Sequence, residues 1–294
     1  MKELLTIFTP TYNRMQTLSI CYESLKNQTN KNFIWLIVDD GSTDNTRTMV
    51  KKWIKNNIIS IRYVYQENQG MHGAHNTAYE LIDTELNTCI DSDDYMPLDA
   101  VEKIYKYWTQ NGSEWVAGIA GLDITKEGKI IGTPFPENIN KSTLFDIYHR
   151  HKITGDKKLV YRSELTRKYP YPLFKDEKYV GLNYKYYKID KEYELLLMNE
   201  PICVVEYRDD GSSLNMFRQY RKNPKGWCFY RKENMKLQGT SLGFKFKECI
   251  HYVSSSILSR NKQFLNVPLR LMTILAIPFG VVLSILIICK TRKC

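Results

Sequence analysis

The sequence predicts an α/β fold, in which helices cover both faces of a mostly parallel sheet. In the first hundred residues, short apolar runs rich in β-branched and aromatic residues alternate with longer helix-like stretches. Buried parallel strands are continuous apolar runs of this kind. Polar clusters follow three of the runs, and the carboxyl ends of parallel strands form the ligand crevice of such a sheet. These clusters should therefore lie at one edge.

The elements of this region follow one another closely. The predicted strands are Leu4–Thr9, Phe33–Val38, Ile59–Tyr65 and Thr88–Ile90. The predicted helices are Met15–Asn27, Thr43–Asn57 and His72–Leu86. The polar clusters are Thr9–Asn13, Asp39–Ser42 and Asp91–Asp94.

The rest of the chain is less regular. We predict strands at Trp115–Leu122 and Ile202–Tyr207, a hairpin or loop at Gly128–Pro136, a short helix at Ser142–His151 and a turn at Asp209–Gly211. The stretch Tyr161–Tyr193 is rich in Tyr and Lys, and Ser213–Asn261 is basic, aromatic and helical in pattern.

Composition limits the class of protein. The chain has 294 residues, with 42 Lys and Arg against 32 Asp and Glu, a formal charge of +10. This excess favours an anionic partner or serves solubility. The seven cysteines are widely spaced and form no CxxC pair, which argues against a zinc site and a disulfide framework. We expect reduced thiols and a cytoplasmic setting.

An uncharged segment near the end, Leu271–Cys289, predicts membrane association. Nineteen residues in a helix measure about 28 Å, close to the thickness of a bilayer core. Arg270 precedes the segment, and Lys290, Arg292 and Lys293 follow it. The break at Pro278–Gly280 leaves open a spanning helix or a re-entrant hairpin. A buried core helix is the alternative.

The two acidic clusters suggest ligand binding. Asp39 follows a strand, where a carboxylate can accept hydrogen bonds from a nucleobase N–H or a ribose hydroxyl, whereas helix capping explains Asp44. Asp91, Asp93 and Asp94 repel one another unless a cation lies among them. Oxygen ligands suit Mg²⁺ or Mn²⁺, which would hold a diphosphate. A solvated acidic turn is the alternative.

Four motifs together resemble the family 2 glycosyltransferases of the GT-A fold, a Rossmann-like α/β fold. They are Thr9–Arg14, Val38–Asp44, Asn68–Asn76 and Asp91–Asp94, and both order and spacing match. The resemblance covers residues 3–125 and continues more weakly beyond them. In that second part the chain is similar to bacterial capsule, lipopolysaccharide and exopolysaccharide glycosyltransferases.

The resemblance implies a role for each matching residue. Pro10 and Tyr12 would line the nucleotide pocket, and Asp39 would face the base with Asp40 next to it. Asp91 would lie near the ribose and the metal. The remaining implied positions are Asp93 as ligand of Mn²⁺ or Mg²⁺ and Asp94 lining the donor sugar or holding the loop. We expect His75 and Asn76 to pack or cap beneath the donor site, where Asn76 counts among the substrate-binding residues.

The resemblance also implies an acidic general base in the second half of the chain. Glu177 is the best match and Asp176 the reserve. The second Glu expected shortly afterwards is missing, because Leu182 or Asn183 stands in its place. Both acids could instead form a solvated turn. Of the histidines, we expect His72 to pack rather than bind metal, and His149 and His151 to lie at the surface or the acceptor side.

These implications divide the chain into three parts. Residues 1–212 would form the catalytic domain, with a nucleotide-sugar half (1–125) and an acceptor half (126–212). Residues 213–266 would be a basic helical extension, and residues 267–294 an apolar membrane-associated segment with a basic tail.

The expected activity is metal-dependent, inverting transfer of a sugar from a nucleotide-sugar, foremost a UDP-sugar. The acceptor would be a lipid-linked saccharide at the cytoplasmic face of the cell membrane, in cell-surface polysaccharide synthesis. The first alternative is transfer to a polyprenyl phosphate, which needs no base. A nucleic-acid-binding protein, stacking bases on Tyr161–Tyr193, is less favoured because the acidic strand ends repel phosphates. A non-catalytic GT-A module is disfavoured by the intact Asp91–Asp94 cluster.

Overall fold

The computed structural model describes residues 3–206 and 215–292. The chain divides into two compact units, residues 1–170 with 185–206, and residues 171–184 with 207–294. The predicted strand end at Tyr207, the predicted turn at Asp209–Gly211 and the last two residues of the basic tail lie outside the described residues.

The first unit contains the sheet. Its strands are β1 (Leu5–Thr11), β2 (Phe33–Asp39), β3 (Ser60–Tyr65), β4 (Leu86–Cys89), β5 (Val116–Ile124), β6 (Lys141–Ser142), β7 (Lys157–Arg162) and β8 (Glu194–Val204). In the described part of the chain they form one sheet in the order β3-β2-β1-β4-β7-β5-β8-β6.

The sheet has a parallel half that positions the polar clusters. The strands β1, β2, β3 and β4 are parallel neighbours, and the register pairs Thr11 with Asp39 and Asp39 with Tyr65. Their carboxyl ends therefore meet at one edge, as the sequence predicts. The other half is mixed, because β7 runs antiparallel to both β4 and β5.

Helices cover both faces of the sheet, in agreement with the prediction. Ile7 belongs to the core cluster that includes Leu18 and Ile104, whereas the next residue, Phe8, packs edge-on against Tyr79. Successive strand side chains point to opposite faces. The helices of this unit are α1 (Met15–Lys26), α2 (Thr46–Asn56), α3 (Met71–Leu81), α4 (Ala100–Asn111), α5 (Leu144–His149) and α6 (Ser163–Arg167), and α7 (Asn183–Ile189) begins in the second unit and ends in the first.

The second unit is helical in its described residues. Its helices are α8 (Met216–Lys222), α9 (Pro224–Asn234), α10 (Leu242–Leu258), α11 (Arg270–Leu275) and α12 (Ile277–Thr291). Ser241 caps α10, because its hydroxyl accepts the Phe244 N–H at 3.1 Å. Val253 and Ala276 belong to a small core among these helices. None of the described helices combines the length and the apolar character needed to cross a bilayer.

Candidate active site

The loops after β1 and β2 are joined by a side-chain clasp. Asn13 has a left-handed backbone (φ 51°), and its side-chain carbonyl accepts the Thr43 N–H at 2.8 Å. In return, the Asn13 N–H donates to the Ser42 hydroxyl at 2.9 Å. Asp44 accepts from the N–H groups of Met15 and Thr46. The two strand ends are therefore joined by hydrogen bonds. Asp44 precedes Asn45, the N-cap residue of α2, and its carboxylate accepts the first N–H of the helix, in keeping with an acid at the positive helix end.

Asp39 is buried at the end of β2. One oxygen of its carboxylate accepts the Ser42 N–H at 2.8 Å, and the other accepts the Tyr63 hydroxyl at 2.6 Å. Desolvation raises the pKa of Tyr63, and the Asp39 carboxylate raises it further, so the phenol keeps its proton. Pro10 and Tyr12 lie beside this site at the end of β1, where Tyr12 is 49% exposed.

Asp40 organises the following loop. One carboxylate oxygen accepts the Gln66 side-chain amide at 2.7 Å and the Gln69 N–H at 2.8 Å. The other accepts the N–H of Gly70, whose φ of 84° suits glycine, at 2.8 Å. Gly70 immediately precedes α3, the helix that carries Asn76. Asp40 therefore fixes the start of α3.

The second acidic cluster follows β4, next to β1. Asp91 is exposed and Asp93 is half-buried, so solvent reaches both carboxylates. The Asp94 N–H donates to the Asp91 carbonyl at 3.0 Å and closes a tight turn. Desolvation raises the pKa of Asp91, Lys158 opposes this shift, and Asp93 adds to it. The negative charges of Asp91 and Asp93 thus lie close enough together to favour the binding of a cation.

A largely buried lysine lies next to this turn. Lys158 is on β7, and its ammonium is 3.7 Å from Asp94. Desolvation raises the pKa of Asp94 to about 7, while Lys158 lowers it. Burial alone would lower the pKa of Lys158, but Cys203, Asp123 and the acidic turn raise it well above its ordinary value. Lys158 is therefore a fixed ammonium among carboxylates. The sequence prediction missed it because β7 was not recognised as a strand.

The two histidines of α3, His72 and His75, are buried in the interior of the protein. His75 is buried, with the Tyr79 hydroxyl 3.3 Å from Nδ1 and the Cys89 sulfur 3.7 Å from Nε2. Burial and the charge of Lys185 lower the pKa of His75 to about 3, so the ring is neutral. His72 is also buried. Among the described residues, no group of three or more His, Cys, Asp and Glu side chains is placed to hold a metal.

The two acids predicted as general base lie in the second unit. The Glu177 carboxylate is buried and accepts the Lys225 N–H at 2.9 Å and the Gly226 N–H at 2.8 Å. Desolvation raises the pKa of Glu177, and these two hydrogen bonds oppose that shift. Glu177 thus caps the first turn of α9. Asp176 is exposed, with a left-handed backbone (φ 65°).

The remaining predicted positions are His149, His151 and Asn76. His149 is exposed and stacks on Phe145, with ring centroids 4.2 Å apart, and His151 is half-buried. Asn76 is half-buried on α3. The structure therefore brings Pro10, Tyr12, Asp39, Asp40 and Asp91–Asp94 to one edge of the sheet.

The α/β sheet with acidic loops at the ends of its parallel strands, taken with a match to a protein-family model, identifies a glycosyltransferase. Residues 6–169 match the family described as Glycosyl transferase family 2, and the chain belongs to that family.

Sequence relatives agree with this assignment, and a solved structure shares the fold. The chain is 31% identical to the chondroitin synthase of Escherichia coli over 52% of its own length, and it spans only 21% of that protein. It is 26% identical to the putative teichuronic acid biosynthesis glycosyltransferase TuaG of Bacillus subtilis, over 78% of this chain and 88% of the other. The fold is similar to that of S. aureus TarS 1–349, solved in complex with UDP-GlcNAc, at a TM-score of 0.62, 18% identity and coverage of 95% of this chain and 81% of the other.

Proposed function

We propose that this enzyme transfers a sugar from a nucleotide-sugar, foremost a UDP-sugar, to a hydroxyl of a lipid-linked saccharide. The reaction would take place at the cytoplasmic face of the cell membrane, in the synthesis of a cell-surface polysaccharide. The relatives named for chondroitin and teichuronic acid synthesis support a polysaccharide product. Because S. aureus TarS 1–349 was solved in complex with UDP-GlcNAc, this nucleotide-sugar is the first donor to test here.

The observation that carries this proposal is the difference between buried and open carboxylates at one edge of the sheet. Asp39 is buried at the carboxyl end of β2. Pro10 and the exposed Tyr12 are at the adjacent end of β1. Asp91 and Asp93, after the next strand, are open to solvent. A nucleoside placed along this edge would meet Tyr12 at the strand end that the buried Asp39 orders, and its diphosphate would lie towards Asp91 and Asp93.

The carboxylates of Asp91 and Asp93 are suitable ligands for Mn²⁺ or Mg²⁺. Both ligands are carboxylates, which hard divalent cations prefer. Desolvation raises the pKa of Asp91, Lys158 opposes that shift and the Asp93 carboxylate adds to it, so a cation at this turn would relieve the repulsion between the two carboxylates. Asp93, with Asp91, would hold the metal, and the donor diphosphate and water would complete its coordination. When bound, the metal would stabilise the charge of the leaving nucleoside diphosphate. Lys158, beneath Asp94, would keep this turn in place before the ion arrives.

In the proposed inverting reaction, the acceptor oxygen attacks the anomeric carbon while the bond to the diphosphate oxygen breaks. The acceptor proton passes to a carboxylate, for which Glu177, with Asp176 in reserve, is our candidate. The capping hydrogen bonds from Lys225 and Gly226 favour a second candidate function, transfer to a polyprenyl phosphate. That acceptor is already an anion, so no residue needs to take its proton.

The test is calorimetric titration of the protein with UDP-, GDP- and dTDP-sugars, with and without Mn²⁺. We expect one UDP-sugar to bind best, with an affinity that Mn²⁺ increases. Product analysis then separates the two acceptors, since a sugar-monophosphate lipid would support the polyprenyl phosphate. Failure of every nucleotide-sugar to bind would contradict both.

A further inference from the structure

Helix α12 has one face that belongs to the interior of the second unit. Gly280, Ser284, Ile287 and Thr291 are buried at the i, i+4, i+7, i+11 spacing of one helical stripe. At Gly280 the approach to α10 is close, because an added Cβ would lie 2.5 Å from Val253. At the other end, the Thr291 carbonyl accepts a hydrogen bond from Arg221 at 2.8 Å. Packing against the unit thus fixes the rotation of α12.

The opposite face is apolar and exposed. Residues two positions apart in a helix point about 200° from each other, so Val282 and Leu286 lie opposite Gly280 and Ser284. The exposure of Leu271 is 79% and that of Leu275 is 69%. We call this surface the α11–α12 face, and its residues are Leu271, Leu275, Phe279, Val282, Ile285 and Leu286. A contiguous apolar stripe of this kind in water marks an interaction surface.

The charge around this face is one-sided. From Asn215 to Arg292 the sequence has fourteen Lys and Arg but only two acidic residues, Glu233 and Glu248. Both acids are neutralised by ion pairs, Glu233 with Lys236 and Glu248 with Arg231 at 2.9 Å. Exposed cations also stand at both ends of the α11–α12 face: Arg270 before it, and Lys290 and Arg292 after it. A surface complementary to this face would combine an apolar layer with negative charges beside it.

We propose that the α11–α12 face docks in the plane of an anionic lipid bilayer, with α12 lying along the headgroup boundary rather than crossing the membrane. An apolar stripe with cations at its ends matches acyl chains beneath anionic headgroups. The buried stripe of α12 is already packed against α10, and crossing would require α12 to leave that packing. At 15 residues, α12 measures about 22 Å, short of a bilayer core of about 30 Å. This inference rests on the second unit alone and not on the proposed donor or acceptor.

The test compares two fourfold variants in vesicle flotation. The first changes Leu275, Phe279, Val282 and Leu286 to Gln, and the matched control changes Ile20, Ile54, Ile58 and Trp115, exposed apolar residues of the first unit, to Gln. We expect wild type and control to float with phosphatidylglycerol–phosphatidylcholine vesicles, and the first variant to partition at least about tenfold less. Added salt should weaken binding of the wild type. Circular dichroism and thermal unfolding check that each variant is folded.

A second set of variants keeps the apolar face and changes only its charges. Arg270→Gln, Lys290→Gln and Arg292→Gln together should reduce flotation with phosphatidylglycerol vesicles and leave the weak flotation with pure phosphatidylcholine unchanged. Val282→Trp then reports depth: lipids brominated near the glycerol should quench its fluorescence more than lipids brominated near the chain ends.

Three outcomes would overturn the proposal. Equal flotation of the Leu275 fourfold variant and the control would show that the face does not bind lipid. Resistance to alkaline carbonate, with strongest quenching by the deep bromines, would establish a spanning helix. A wild-type dimer that the fourfold variant dissociates, without vesicle binding by either, would show that a second copy covers the face. A protein that binds vesicles but no nucleotide-sugar would contradict only the proposed function.

Discussion

The two acidic loops at the edge of the sheet use the same residue type in different ways. After β2, the carboxylates of Asp39 and Asp40 are buried and accept hydrogen bonds from the Tyr63 hydroxyl and from neighbouring amides. After β4, Asp91 is exposed and Asp93 is half-buried. A carboxylate held by the protein's own donors organises a loop, whereas an open one is available to a ligand. Position at a strand end therefore does not fix the role of an aspartate.

Removing an open carboxylate should have the largest effect on activity. We expect Asp93→Ala to lower turnover by about 10³-fold, a loss typical of a group that stabilises charge in the transition state. It should also abolish the Mn²⁺ dependence of UDP affinity. The melting temperature should not change, because the side chain is reached by solvent. The measurements are turnover, calorimetry and thermal unfolding.

Asp83→Asn is the matched control, because its carboxylate pairs with Arg62 at the surface, 3.2 Å away. It should leave turnover at the wild-type level. If Asp93→Ala kept the activity of this control, the open loop would not hold the metal.

Glu177 tests the comparison most sharply, because its carboxylate is held by backbone donors and yet is our candidate base. Glu177→Gln should lower transfer to a hydroxyl acceptor by about 10²-fold, with little change in donor affinity. The melting temperature should fall only slightly, because Gln keeps one oxygen for the first turn of α9. Steady-state kinetics with the acceptor varied gives the answer. A wild-type rate would show that Glu177, like Asp40, orders the local structure and does not act as the base.

Asp40 should matter first for stability. Asp40→Ala removes the acceptor of hydrogen bonds from Gln66, Gln69 and Gly70, and we expect a loss of about 2–4 kcal/mol in the free energy of unfolding. Asp40→Asn keeps one acceptor oxygen and should lose about half as much. Urea unfolding followed by circular dichroism measures both. Equal stability of Asp40→Ala and wild type would mean that the β3–α3 loop is ordered by other contacts.

The buried His75 on α3 should make the free energy of unfolding depend on pH. The pKa of His75 is about 3 in the folded protein, below the usual value near 6.5. Below pH 6.5 the unfolded chain gains a proton here that the folded chain does not bind, so the free energy of unfolding falls by at most about 1.4 kcal/mol per pH unit. Urea unfolding between pH 7 and 4 should show a shallower decline for His75→Gln than for wild type.

The sequence predicts the parallel half of the sheet well, because buried strands there are continuous apolar runs. β1, β2, β3 and β4 lie within three residues of their predicted limits. β7 was missed because Lys157 and Lys158 make it look polar, and Lys158 is buried only because carboxylates from other strands surround it. The difference between Asp40 and Asp93 could not be predicted either. It depends on which loop supplies N–H groups to each carboxylate, and that is decided by tertiary contacts.

The clasp between Asn13 and the residues 42–44 has a consequence for protein engineering. Since each loop supplies donors and acceptors to the other, the two loops form a single exchangeable part. A chimera that imports only the segment after β2 would leave the Asn13 carbonyl and the Met15 N–H facing unmatched groups. Attempts to change donor preference by loop transplantation should therefore move residues 10–15 and 39–46 together.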